Sequence, residues 1–117
     1  MSRRDVRLFL YDILEAIAKI EEYTEGMDYD EFIHDKKTVD AVIRNLEIID
    51  EATKNIPEDV KSKYPEIPWK AIAGMRDKLI HAYFGISLPI VWETIKHDLP
   101  SLKSHVERIL RELEQDQ

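Results

Sequence analysis

The stretch GMRDKLIHAYFG, residues 74–85, sets Arg76, Asp77, His81 and Tyr83 inside an apolar run flanked by Ile72, Leu79, Ile80 and Phe84. Such a set of side chains would suit RNA cleavage without a metal. An imidazole takes a proton from a ribose 2′-OH or gives one to the leaving 5′-oxygen. A guanidinium holds the phosphate through two parallel hydrogen bonds and stabilises the charge that develops on it.

Helical spacing limits how these groups can meet. Asp77 and His81 are four apart and share a face, so the carboxylate can orient the imidazole and raise its pKa. Arg76 and Tyr83 are seven apart and nearly share one. Arg76 and His81 are five apart, about 140° round an ideal helix. They reach one spot most simply when two copies of the helix face each other across a symmetry axis. In-line attack also wants one base and one acid, and each chain offers a single such histidine. Both arguments lead to a homodimer. By itself the pattern is more commonly a surface Asp–His pair and an arginine lying along a helix face.

Four helical stripes must position this segment. Val6, Phe9, Leu10, Ile13, Ile17 and Ile20 form the first, stopped by Gly26. MDYDEFIHD follows, with room for a turn or two of helix. Val39, Val42, Ile43, Leu46, Ile49 and Ile56 form the second, capped by Asp35 or Thr38 and closed by Pro57. PEDVKSKYPEIP reads as a connector with one helical turn, and Pro68 suits the first turn of the third helix, which ends at Gly85. The fourth starts at Ser87 and runs through Val91, Ile95, Leu99, Leu102, Val106, Ile109 and Leu113, with a kink or break expected at Pro100. Trp69 and Trp92 read as core or interface residues, and 111–117 as a polar tail that frays. Arg44 and Asn45 interrupt the second stripe and could line a groove.

Bulk properties narrow the class. A chain of 117 residues with 44% hydrophobic residues makes one domain with a modest core. Three glycines, five prolines and no strand-like alternation favour an all-α, antiparallel four-to-five-helix bundle. With no cysteine there is neither a disulfide framework nor a thiolate metal site, and no two histidines stand at ligand spacing with a carboxylate. No run is long and apolar enough to span a bilayer, so a cytoplasmic protein without a membrane role is expected. The net charge of −7 argues against a surface that coats phosphate everywhere, and suits a partner with a basic face.

RDKLIHAY is similar to the Arg–x4–His–x–Tyr signature of HEPN-domain toxins of the HepT type. AVIRNLEIIDEATKNIP and IPWKAIAGMRDKLIHAYFGISLPIVWETIKHDLPSL resemble the rest of that family, while the first 30 residues match in pattern only. The resemblance implies one HEPN domain over residues 1–117. It implies a homodimeric, metal-independent endoribonuclease toxin of the type VII HepT/MntA system, with Arg76 and His81 catalytic and Asp77 supporting. It also implies an MntA-like nucleotidyltransferase antitoxin that uses ATP to place AMP on Tyr83; the toxin itself would need no cofactor. The alternative within the resemblance is a non-catalytic HEPN module that binds a nucleotide or partners the nucleotidyltransferase.

Overall fold

The computed structural model describes residues 5–73 and 87–115. All regular structure among these is helical. Helix α1 spans Val6–Thr24, α2 Tyr29–His34, α3 Lys36–Lys54, α4 Glu58–Lys63 and α5 Trp69–Ala73. After residue 87 come α6, Leu88–Glu93, a π turn, Thr94–Asp98, and α7, Leu99–Gln115.

The start signals are local. Asp5 caps α1 by accepting from the Arg7 backbone N–H at 2.9 Å. Arg7's side chain also donates to that carboxylate, and together these bonds hold its pKa down at about 2, side-chain bond first. A carboxyl lowered by folding stabilises the fold above its ordinary pKa. That contribution is lost as pH falls from there through about 2. Asp28 and Glu31 form a reciprocal capping box on α2, with bonds of 2.8 and 3.1 Å. Asp35 ends α2 and caps α3, accepting from Thr38 N at 3.1 Å. Gly26 carries the turn after α1 at φ +76°, where a side chain would be strained.

Packing follows the stripes. α1 lies along α3 and touches α7, while α3 also packs on α5 and α2. Leu10, Ile13, Ile17 and Ile20 from α1 meet Val42, Leu46 and Ile49 from α3 and Leu99, Val106 and Ile109 from α7 in one core. Phe32, fully buried, docks α2 against Trp92, with ring centroids 5.1 Å apart. Trp92 is partly buried, and Lys96 Nζ lies 4.5 Å above its ring. Ile49→Ala would empty the middle of this core. We expect a loss of about 2–5 kcal/mol, read as a lower urea midpoint with an unchanged slope.

Pro100 does not end the last rod. It has no N–H, and in a regular α-helix its ring would strike the carbonyl of Lys96. The backbone widens instead: Leu99 N–H bonds to Thr94 O, five residues back, and α7 then begins with Pro100 in its first turn, where no donor is needed. Further along, α7 stays helical to Gln115, and the Tyr11 hydroxyl donates to Glu114 at 2.8 Å, tying this end to α1.

Candidate active site

Arg76, Asp77, His81 and Tyr83 lie outside the described residues. The structure describes the two shoulders of the segment that carries them, and both are seated in the core. On the N-terminal side Ile72 of α5 is buried and Trp69 is partly buried against the core. On the C-terminal side Val91 of α6 is fully buried. Ser87 precedes α6 without a side-chain capping bond, and Pro89 sits in the first turn.

Between α5 and the rod made by α6, the π turn and α7 runs a cavity of about 520 Å³. Ile67, Ile72, Leu99 and Leu102 make its apolar wall, and Glu93 and His105 stand among its polar groups. Thr94 is not a free donor there, because its hydroxyl donates to Ile90 O at 2.9 Å.

Arg44 and Asn45 part company on α3. Arg44 is exposed, with Nη1 3.7 Å from Glu47 Oε2, and it lines a cleft of about 360 Å³ between α1 and α3. Phe9, Asp12, Glu47, Glu51 and Asn55 share that cleft. Asn45 is buried, and its amide donates to Ala41 O at 2.9 Å. Neighbours on a helix point about 100° apart, so one faces the cleft and the other the interior. Three carboxylates beside one guanidinium make the cleft a poor seat for phosphate.

One ionisable residue among the described ones escapes the stripe reading. Asp50 is fully buried, four residues after Leu46 and beside Ile49. Lys54 Nζ lies 3.2 Å from Oδ2, yet neither carboxylate oxygen accepts an aligned hydrogen bond. An aspartate beside stripe positions was the available signal. A charge so placed is held by its ion pair, and removing Lys54 would leave it unpaired inside the protein.

A second polar cluster joins the connector before α5 to α7. Arg108 pairs with Glu66 and lies over the ring of Tyr64, with Cζ 5.7 Å from the centroid. Glu66 is held below the usual carboxylate range, first by its own backbone N–H and then by Arg108. Among the other histidines, His97 is exposed beside Glu93 at 3.3 Å, and His34 is exposed beside Asp30. No group of three or more His, Cys, Asp or Glu that could hold a metal ion occurs among the described residues. No helix among them is long and apolar enough to cross a membrane.

The family model described as "Ribonuclease HepT-like" matches residues 13–109. A Thermococcus cleftensis protein named "Probable ribonuclease HepT" is 54% identical over 107 residues, covering 92% of this chain and 97% of that protein. "Putative RNase MJ0125" of Methanocaldococcus jannaschii is 52% identical over 115 residues, covering 98% of this chain and 99% of that one. "Putative RNase TTE0752" of Caldanaerobacter subterraneus is 44% identical over 105 residues, covering 90% and 94%. No solved structure matches the chain.

Proposed function

Because this chain belongs to the HepT-like ribonuclease family, we propose that it is a metal-independent endoribonuclease whose active site forms between two copies of a single HEPN domain. The observation that carries this reading is the family match over residues 13–109, which takes in the whole Arg76–His81–Tyr83 motif. One His81 removes the proton from a ribose 2′-OH. The 2′-oxygen then attacks phosphorus and the bond to the 5′-oxygen breaks. The second His81 returns a proton to that oxygen, leaving a 2′,3′-cyclic phosphate and a 5′-hydroxyl. Arg76 holds the phosphate as its charge builds. Asp77 orients the imidazole. No cofactor enters these steps.

The same reading makes the chain the cytoplasmic toxin of a pair. Its antitoxin is a nucleotidyltransferase that spends ATP to put AMP on Tyr83. A second reading is a HEPN module that partners such an enzyme, or binds a nucleotide, and cuts nothing; the net charge of −7 favours it.

Incubation of the purified chain with single-stranded RNA separates the two. Under the first reading RNA is shortened by a species sedimenting at twice the 13.8 kDa chain mass. Intact RNA favours the second. A monomer that cleaves would overturn the shared site.

A further inference from the structure

The connector leading into α5 is tied to α7 through Tyr64 and Glu66, and of these two Tyr64 alone also bonds to α5. Tyr64 is buried, at 9% exposure. Its hydroxyl donates to Glu112 Oε2 at 2.5 Å. Its carbonyl accepts the indole N–H of Trp69 at 3.0 Å and the backbone N–H of Ile67 at 3.1 Å. Arg108 covers the ring and pairs with Glu66. Arg108 and Glu112 are four apart on α7, so both side chains leave one face of that helix and grip the same short stretch.

Burial of the ring does not need the hydroxyl, since a phenylalanine would be as apolar. The hydroxyl adds direction. A hydrogen bond to a carboxylate is short and about twice as strong as one between neutral groups. It fixes where Tyr64 sits along α7. Trp69, bonded to Tyr64, is the first residue of α5, and the chain reaches Arg76 seven residues later.

We infer that Tyr64 is a positioning residue for the nuclease. Through its bonds to Glu112 and Trp69 it anchors the start of α5 on α7, and so sets the root of the segment that bears Arg76 and His81. This rests on the ribonuclease reading above. Cleavage needs reacting atoms placed to within about an ångström, and misplacement on that scale costs on the order of 100-fold in rate.

The test uses the full chain and a fluorophore–quencher oligoribonucleotide of mixed sequence. In Tyr64→Phe, kcat should fall by about 10- to 100-fold, with KM changed by less than about twofold. Glu112→Ala, an exposed position on α7 that should fold regardless, should do the same. Glu112→Gln keeps an acceptor for the phenol and should retain most of the rate. In Tyr64→Phe/Glu112→Ala the losses should not add, because both changes break one bond. Wild-type kcat in Tyr64→Phe, or additive losses, would overturn the inference. Amide hydrogen exchange over residues 69–73 should quicken in Tyr64→Phe, whether or not RNA is cut. Unchanged exchange there would refute the tie itself. A wild type that leaves RNA intact while exchange does quicken would instead refute the ribonuclease reading alone.

Discussion

His81→Ala and Arg76→Ala should each silence RNA cleavage while leaving a folded, helical chain. Losing a general acid–base removes about 10²–10⁴ in rate. In the proposed mechanism both proton transfers use the same residue from two copies, so the substitution would strike each of them. Losing a charged group aimed at the transition state removes about 10²–10³. Asp77→Ala should do less harm, because an orienting carboxylate acts only through His81. Circular dichroism should show unchanged helicity in all three, since each substitution leaves in place the apolar core that Leu10, Ile17, Leu46, Ile49 and Val106 make among the described residues. Cleavage should survive EDTA and leave a 2′,3′-cyclic phosphate. Activity lost on chelation and restored by a divalent ion would refute the metal-free mechanism. A His81→Ala chain that cuts at the wild-type rate would remove the motif from the chemistry.

The stripes were legible because burial repeats with the helix period. Leu10, Ile13, Ile17 and Ile20 stand at spacings of three and four, and all four are fully or almost fully buried. Asp35 could be read as a cap because an aspartate just before an apolar stripe accepts a free N–H, as it does from Thr38. Pro100 could be read as a disturbance but not as a π turn. A missing donor says where the regular ladder fails, whereas the repair depends on how Thr94, Ile95 and Leu99 settle against the core. Tyr64 was hidden for a related reason. The value of a buried phenol depends on its partner, and Tyr64 finds Glu112 48 residues away. No local pattern encodes such a contact. Arg44 and Asn45 show the limit from the other side: adjacent in sequence, they are turned to different environments by the helix. The chemistry proposed for Arg76 and His81 rests on residue type and on the family motif around them, and both residues lie outside the described ones.

Tyr83→Phe should keep the nuclease and lose its switch. The substitution removes one oxygen and retains the ring, so folding and at least part of the cleavage rate should persist. In the proposed switch the phenol oxygen is the nucleophile: it would attack the α-phosphorus of ATP, pyrophosphate would leave, and the phenolic proton would go to solvent or a base of the transferring enzyme. The product carries a negative phosphodiester and a bulky nucleoside seven residues from Arg76 and two from His81. Such a group competes with the RNA phosphate for the guanidinium and fills the space the substrate needs. Wild-type protein treated with its nucleotidyltransferase, ATP and Mg²⁺ should therefore gain one or more AMP masses and stop cutting RNA. Tyr83→Phe under the same treatment should gain none and keep cutting. The other tyrosines are internal controls. Tyr64 is buried and bonded to Glu112, and the Tyr11 hydroxyl is bonded to Glu114. Tyr23 stands exposed on α1, and Tyr29 lies edge-on to Trp92 with centroids 6.1 Å apart. AMP found on any of these four, or a Tyr83→Phe chain still silenced by the transferase, would move the switch away from the motif.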